Sequence, residues 1–354
     1  MFFHAKHSML RWRLKYAKNI SIQPNSICIV WTAGSIRMIR LGKEIFLRRF
    51  KMNRRPNFIE DVHSIYTLKG SKAFQGFEIN RTLFEGASQY QDIAIYENDS
   101  LGRVLTLDGI IQITECDEFV YQEMMAHVPL FSHENPEHVL IIGGGDGGIL
   151  REVLRHNDVK KVVMSEIDQI VIDACVEYMP SVNNAGKVYR DPRTQLIVGD
   201  AFAYVQETEL KFDAVIIDST DPTGPGEKLF SHEFYKNVVK ILNKNALIST
   251  QGGVPLFQPG EVGNTHSCLK DAGLNASCYI AAVPTYYGGY MTLGFGALNS
   301  KWSLPDLETL EQRFKRACIR TKHYSPAMHR ASFVLPPWIE DDINTKSNKK
   351  EEAA

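Results

Sequence analysis

The stretch "HVLIIGGGDGGILREV", residues 138–153, carries the first signal of the fold. A short apolar strand over 138–143 leads into a glycine-rich loop, and a helical pattern begins directly after the loop. Gly143, Gly145 and Gly148 match G-x-G-x-x-G in the strand–loop–helix setting that gives this pattern its meaning. Glycines let the backbone approach a ligand closely, and the helix N-terminus offers free N–H groups. The stretch therefore predicts a nucleoside site.

Strands and helices continue to alternate downstream of this loop. Further apolar strands are predicted at 161–168, 194–200, 213–219 and 246–252, with helical patterns between them. This alternation predicts a parallel, doubly wound α/β sheet, which we expect to be a Rossmann-like domain of the methyltransferase type over 117–345. Two apolar runs within 278–298, around Tyr287, Gly288 and Gly289, predict a closing antiparallel hairpin.

A different pattern precedes this domain. Alternating apolar and polar residues at 92–97, 103–109 and 110–115 predict antiparallel strands, so we expect residues 56–116 to form a small β domain. The next segment, "CDEFVYQEMMAHVPLF", predicts a helix with Asp117 as its cap.

The two ends of the chain differ from its body. Residues 1–55 hold 13 Lys and Arg against one acidic residue, Glu44. This basic extension is compatible with a targeting presequence, a disordered arm, or an upstream start with translation normally beginning near Met52. We expect residues 346–354 to be a disordered tail.

Composition narrows the function classes. The net charge of −1 combines the basic extension with an acidic body, which disfavours nucleic acid and favours small cationic molecules as partners. The six cysteines show no CxxC spacing, which favours reduced thiols in the cytoplasm over a disulfide framework or a zinc site. No apolar run reaches the roughly 18 residues of a transmembrane helix, so no membrane partner is expected.

Acidic residues follow the predicted strands. Asp146 lies in the glycine loop where a dinucleotide would place its pyrophosphate, which indicates a cationic ligand instead. Glu166 ends the second strand at the position from which a carboxylate binds ribose hydroxyls, and Asp200 ends the third, where it could bind an adenine amino group, cap a helix, or do both. Asp218 and Asp221 follow another strand, in a loop stiffened by Pro222, Gly224 and Pro225. Because carboxyl ends of parallel strands share one edge, we expect a cluster of acids facing a positive group.

Together, these motifs resemble those of spermidine synthases, the aminopropyltransferases of polyamine synthesis. The resemblance runs from about Phe74 to Trp338, and the set "GGGDGG", "EID", "GDAF" and "DSTDPTGP" carries it; "TYYGGYMT" is closest to bacterial members. It implies transfer of an aminopropyl group from decarboxylated S-adenosylmethionine to putrescine, giving spermidine and 5′-methylthioadenosine, with no metal or other cofactor. It also implies a homodimer or homotetramer assembled through the β domain.

The resemblance assigns roles to individual positions. Asp218 corresponds to the base that takes the proton of the attacking amine. The implied donor-binding residues are Gln91, Gly143, Gly145, Asp146, Glu166, Asp200, Ala201 and Pro225. The implied acceptor-binding residues are Tyr121, Gln122, Asp146, Asp218, Asp221 and Tyr286. Gln122 stands where many bacterial members have His, and Ala201 where Gly is common, so acceptor preference among putrescine, cadaverine and longer amines stays open.

Three other functions fit parts of the sequence. A methyltransferase that uses S-adenosylmethionine shares the fold, but its donor keeps a carboxylate that Asp146 would repel. An NAD-dependent dehydrogenase would need a phosphate-accepting loop without an acid. A polyamine-binding protein without activity would not need the full acid set. His127, His232 and His329 have no neighbours at metal-ligand spacing, so we expect them to be structural.

Overall fold

The structure is a computed structural model that describes residues 27–32, 35–40, 49–50, 57–60, 75–220 and 224–351. The chain divides between Arg55 and Pro56 into two compact units. In the first unit, β1 (Ile27–Thr32), β2 (Ser35–Arg40) and β3 (Arg49–Phe50) form an antiparallel sheet. Most of the basic extension, Met52 included, lies outside the described residues, and its nature stays a prediction.

The second unit begins with antiparallel strands. β4 (Phe58–Glu60) pairs with β5 (Gln75–Phe77), and a four-stranded sheet follows: β6 (Arg81–Ala87), β7 (Asp92–Asn98), β8 (Gly102–Leu107) and β9 (Ile110–Thr114). Each strand of the sheet is antiparallel to the next. The small antiparallel β region predicted from the sequence is thereby confirmed.

The remainder alternates between helices and strands. Its first half comprises α1 (Glu118–Ser132), β10 (His138–Gly143), α2 (Gly148–Leu154), β11 (Lys161–Glu166), α3 (Gln169–Tyr178), β12 (Thr194–Val198), α4 (Ala201–Glu207) and β13 (Phe212–Asp218). Its second half comprises a 3-10 segment (Gly224–Phe230), α5 (His232–Lys240), β14 (Leu242–Gln251), α6 (Glu261–Asp271), β15 (Asn275–Ala281), β16 (Met291–Ala297), α7 (Leu307–Ala317), α8 (Pro326–Ser332) and α9 (Pro337–Glu351). Residues 56–354 form one compact unit. Residue 116 therefore marks the point where antiparallel strands give way to alternating helices and strands, within that unit.

The central sheet has the strand order β12-β11-β10-β13-β14-β16-β15. Its strands are parallel except β16, which is antiparallel to both β14 and β15. The structure thus confirms the Rossmann-like α/β sheet and the closing hairpin. Both faces are buried: on β10, Val139 and Ile141 pack into one apolar cluster, whereas Leu140 and Ile142 pack into the other.

The sheet brings the predicted acids to one edge. β10 and β13 lie side by side with Gly143 opposite Asp218, and β11 lies on the other side of β10. Gly143 has φ 78°, and a Cβ there would lie 2.1 Å from the Asp218 carbonyl oxygen. Only glycine can therefore occupy this position, where the chain turns out of β10 into the loop, which explains the first glycine of the motif.

One expectation about a helix differs from the structure. Asp117 precedes α1, but its side chain makes no capping hydrogen bond to the helix; its carboxylate instead accepts hydrogen bonds from Thr114 and Thr285. The last helix ends at Glu351, and the tail proposed for residues 346–354 stays a prediction. Across the described residues, every helix is too short or too polar to cross a bilayer.

Candidate active site

A cleft of about 1020 Å³, its open mouth included, lies at the carboxyl ends of β10, β11 and β13. It brings together most of the residues singled out in the sequence: Gln91, Tyr121, Gln122, Gly143, Gly145, Asp146, Glu166, Asp200, Ala201, Asp218 and Tyr286. Asp221 lies outside the described residues. Of Pro225, only the backbone, within the 3-10 segment, is described.

Asp146 is a buried carboxylate in the glycine loop. Its Oδ1 accepts hydrogen bonds from the Gly148 amide (2.7 Å) and from Gln122 Nε2 (3.0 Å). Burial, and then the charge of Asp218, raise the pKa of Asp146 well above its ordinary value. The carboxylate is therefore held in an environment that favours a cation beside it.

Asp218 ends β13 on the opposite side of the loop. Its Oδ1 accepts a hydrogen bond of 2.7 Å from the Tyr121 hydroxyl, and its backbone oxygen accepts one of 3.1 Å from Gly144 N–H. A Cβ on Gly144 would lie 3.3 Å from the other carboxylate oxygen, Oδ2, so this glycine leaves space beside it. Burial raises the pKa of Asp218, the hydrogen bond from Tyr121 opposes the rise, and the charge of Glu166 adds to it.

Glu166 belongs to a small network that the sequence analysis identified only in part. Its Oε1 accepts the Asp168 amide at 2.8 Å, and burial raises the pKa of Glu166 to about 7. Asp168 in turn accepts hydrogen bonds from Gln91 Nε2 (3.0 Å) and Ser88 Oγ (2.6 Å) and caps α3. Asp168 was overlooked because the motif "EID" drew attention only to its glutamate. Gln91 is therefore oriented toward the cleft by a second acid.

Asp200 lies at the rim of the cleft, where it is exposed. Its side chain caps α4 by accepting the Phe202 amide at 2.8 Å, and the next residue, Ala201, is buried at the start of that helix. One carboxylate oxygen serves the cap, so the second can serve a ligand.

Two tyrosines form another wall. The rings of Tyr121 and Tyr286 are 5.7 Å apart, and the Tyr286 hydroxyl donates to the Gln112 carbonyl at 2.9 Å. An adjoining cavity of about 500 Å³ shares Gln112, Tyr121, Asp218 and Tyr286 with the cleft and extends to Glu60 and Gln251. This arrangement supplies room for an extended molecule that begins at Asp218.

The histidines considered as metal ligands have other partners. His127 hydrogen-bonds Glu152 and His156, and His329 hydrogen-bonds Ser132 and Tyr324. His232 forms an ion pair with Asp271. Among the described side chains, no group of three or more His, Cys, Asp or Glu has an arrangement that could hold a metal ion.

Known proteins share this sequence and fold. Residues 118–302 match the family model described as the spermine/spermidine synthase domain, and residues 69–115 match the spermidine synthase tetramerisation domain. A polyamine aminopropyltransferase of Yersinia pestis (strain Pestoides F) is 44% identical over 271 residues, which are 77% of this chain and 91% of the relative.

Two solved structures are similar to this one. Spermidine synthase in complex with the transition-state analogue AdoDATO has a TM-score of 0.73 and 33% identity, over 83% of this chain and 99% of that chain. Spermidine synthase from Thermotoga maritima has the same TM-score and identity, over 84% of this chain and 100% of that chain. The two family-model matches include β10, β11 and β13, whose carboxyl ends bound the cleft.

Proposed function

Because this chain belongs to the spermine/spermidine synthase family, we propose that it transfers the aminopropyl group of decarboxylated S-adenosylmethionine to putrescine, forming spermidine and 5′-methylthioadenosine. The observation that carries the proposal is the charge of the cleft. Asp146, Glu166 and Asp218 line it together, and within the described side chains none of the three forms an ion pair. Such a cleft suits a donor with a sulfonium and an ammonium group and an acceptor with two ammonium groups.

The donor fits the side of the cleft built by β10, β11 and β12. Glu166 is placed to accept hydrogen bonds from the ribose hydroxyls, with Gln91 nearby, and Asp200 to accept one from the adenine amino group. Asp146 would bind the propylammonium group. Gln122 Oε1, a buried oxygen without a hydrogen-bond partner among the described residues, is a further acceptor at that point.

The acceptor fits the side that carries the two tyrosines. Tyr121, Tyr286 and Asp218 would surround the attacking nitrogen, and the adjoining cavity would hold the rest of the diamine. Asp221 is the proposed second acid for the diamine, and Pro225 is proposed to lie near the adenine.

The reaction requires a neutral amine. With a pKa near 10.4, only about one amine in 10³ is deprotonated at neutral pH. We assign Asp218 as the proton acceptor, since its raised pKa makes it a better base than an exposed carboxylate, and the Tyr121 hydroxyl orients it. As the nitrogen attacks the carbon bonded to sulfur, the C–N bond forms and the C–S bond breaks. The electron pair of the C–S bond stays with sulfur, which leaves as a neutral thioether. Asp218 has already taken the proton whose loss makes the attacking nitrogen neutral. Because the leaving group is neutral, positioning and charge arrangement supply the catalysis.

Turnover of wild type, Asp218→Asn and Asp213→Asn tests the proposal, with 5′-methylthioadenosine release as the readout. Decarboxylated S-adenosylmethionine is offered with putrescine, cadaverine or spermidine. We expect release with putrescine, about 10²- to 10⁴-fold less in Asp218→Asn because the base is lost. Asp213, at the other end of β13, accepts hydrogen bonds from the Glu137 and His138 amides and from Asn243, and it does not line the cleft, so Asp213→Asn should keep its activity. A methylated amine formed from S-adenosylmethionine, without methylthioadenosine release, would show that the donor assignment is wrong.

We further propose that the protein is cytoplasmic and assembles as a homodimer or homotetramer through its β region. The tetramerisation-domain match at 69–115 supports the assembly. The free thiols of Cys116, Cys175, Cys268, Cys278 and Cys318 support a reducing compartment.

A further inference from the structure

Asp117 lies outside the cleft but contacts the loop that forms one of its walls. Its side chain is buried directly before α1, with 4% of the residue exposed. The carboxylate accepts the Thr285 amide at 2.9 Å, the Thr285 hydroxyl at 2.8 and 2.9 Å, and the Thr114 hydroxyl at 2.7 Å. Hydrogen bonds to a charged acceptor are stronger than neutral ones, so this is a firm attachment between two segments far apart in the chain.

Thr285 is also held from its other side. Its carbonyl accepts a hydrogen bond of 2.8 Å from Gln75 Nε2, on β5, and the same amide nitrogen bonds Glu60, on β4. All three polar groups of Thr285 therefore form hydrogen bonds. The amide and the hydroxyl bond Asp117, directly before α1, and the carbonyl bonds Gln75 on β5.

The attachment fixes the neighbouring tyrosine. Tyr286 follows Thr285 directly, and its ring packs against Tyr121, which lies on the helix that Asp117 precedes. The same loop contains Gly288 and Gly289, both at positive φ, and two short-range backbone hydrogen bonds close it, from the Tyr286 amide to Val283 (3.1 Å) and from the Gly289 amide to Tyr286 (2.7 Å). The bonds between Thr285 and Asp117 therefore act together with the bond from the Tyr286 hydroxyl to the Gln112 carbonyl in setting the distance between the two tyrosines.

We propose that Asp117 and Thr285 are positioning residues for the acceptor: their bonds hold Tyr286 against Tyr121 and so set the shape of the amine pocket. Neither side chain lines the cleft or the adjoining cavity. The inference rests on the proposed function in assigning this wall to the acceptor. It requires that loosening the bond weakens use of the diamine and leaves use of the donor unchanged, because most of the residues proposed to bind the donor lie on β10–β12 and their loops.

Thr285→Val and Thr285→Ser form an isosteric pair for the test. Valine removes the hydroxyl and keeps the shape, whereas serine keeps the hydroxyl. We expect Thr285→Val to raise the KM for putrescine about tenfold, since bonds to a charged group are lost, and to change the donor KM less than about twofold. Thr285→Ser should stay near wild type, and Asp117→Asn should shift the putrescine KM in the same direction as Thr285→Val.

Glu123→Gln is the matched control. Glu123 is also buried on α1, and its carboxylate accepts three backbone amides, from Lys322, His323 and Tyr324, but these bonds hold a segment away from the cleft. It should lower Tm without changing either KM. The inference would be overturned if Thr285→Val and Thr285→Ser changed the putrescine KM equally, or if the KM values for donor and putrescine rose together. It would also be overturned if Glu123→Gln raised the putrescine KM as much as Thr285→Val does.

Amide hydrogen exchange separates this inference from the proposed function. If wild type turns over no diamine, the function is wrong, and exchange in residues 283–289 of the free protein still tests the attachment. Faster exchange in Thr285→Val than in Thr285→Ser supports it, and equal exchange contradicts it.

Discussion

Glu166 and Glu152 are both buried, yet their surroundings shift the pKa of the two carboxyl groups in opposite directions. Burial raises the pKa of Glu166 from its ordinary value of 4.5 to about 7. Burial also acts on Glu152, but hydrogen bonding and charge from His127 and Arg151 overcome it and lower its pKa to about 2. Glu152 is thus paired with cationic side chains within the protein, whereas Glu166 has no ion-pair partner among the described side chains.

This contrast predicts opposite stability changes. A raised folded pKa means that the folded state binds more protons, so the free energy of unfolding falls as pH rises from about 4.5 to about 7. Glu166→Gln should therefore make the ligand-free protein more stable than wild type at about pH 8, by up to about 3 kcal/mol, and the gain should vanish near pH 4.5. Chemical denaturation at both pH values measures it.

Glu152→Gln is the comparison with the opposite sign. Its lowered pKa contributes stability above about pH 4.5 that is lost as pH falls toward 2, so the variant should be less stable than wild type at about pH 8. If Glu166→Gln lowers the free energy of unfolding equally at both pH values, burial of an unpaired charge on Glu166 does not destabilise the wild-type protein.

The positions of some residues could be predicted from the sequence more readily than those of others. Asp146, Glu166 and Asp218 could be placed together because each ends a predicted strand or lies in its loop, and the carboxyl ends of parallel strands share an edge. Asp117 was misjudged as a helix cap, since its partner Thr285 is 168 residues away. Tertiary hydrogen bonds of this kind leave no local pattern to detect.

At the scale of elements, the glycine loop is held by a segment with no motif of its own. Between α3 and β12, Asn183 donates to the Asp146 carbonyl at 3.1 Å and the Tyr189 hydroxyl donates to the Gly145 carbonyl at 2.9 Å. Two consecutive carbonyls are thereby turned away from the cleft. These bonds therefore fix the backbone of the loop in the conformation in which Asp146 lines the cleft.

Tyr189→Phe should weaken donor binding through this loop. It leaves the Gly145 carbonyl without its partner, and we expect about a five- to thirtyfold loss of affinity for 5′-methylthioadenosine, in line with about 1–2 kcal/mol for such a loss. Isothermal titration calorimetry measures it.

Tyr235→Phe is the control, because the Tyr235 hydroxyl bonds Thr250 in the core on the other face of the sheet. It should lower stability and leave this affinity unchanged. Equal affinities of the two variants would show that the bond to Gly145 does not support the donor site.

Elements themselves were largely predictable. Short apolar strands followed by helices gave β10, β11, β12, β13 and β14 within a few residues. Central strands such as β10 and β11 were the clearest, because strands buried on both faces must be apolar throughout, whereas β12 lies at the edge and is partly exposed. β6, "RTLFEGA", was not identified as a strand; its burial does not alternate cleanly, so it lacks the period-2 signal.

At the scale of the whole molecule, the antiparallel strands expose an apolar side chain. On β4, Phe58 and Glu60 are buried, whereas Ile59 points outward with 55% of the residue exposed. The strand pairs with β5, which lies within the tetramerisation-domain match. An exposed apolar residue next to such a domain fits a surface shared between copies of the chain.

Ile59→Lys should therefore weaken assembly. We expect sedimentation velocity to show a homo-oligomer for wild type and a smaller species for the variant at the same concentration, because burying a lysine at an interface is unfavourable. Leu210→Lys is the control, since Leu210 is also exposed but lies between α4 and β13. A wild-type monomer, or equal effects of both substitutions, would contradict assembly through this surface.

The reversed strand β16 has a consequence for how this protein can change. Because β15 and β16 are antiparallel, the turn between them returns to the edge where β10 and β13 end, and it carries Thr285 and Tyr286 there. The residues proposed to recognise the nucleoside are encoded largely upstream, between Gly143 and Ala201. One wall of the proposed amine pocket, which Tyr286 forms, is thus encoded far from most of the residues proposed to bind adenosine. Substitutions in the turn between β15 and β16 can therefore change which amine is accepted while most of the proposed nucleoside-binding residues stay unchanged.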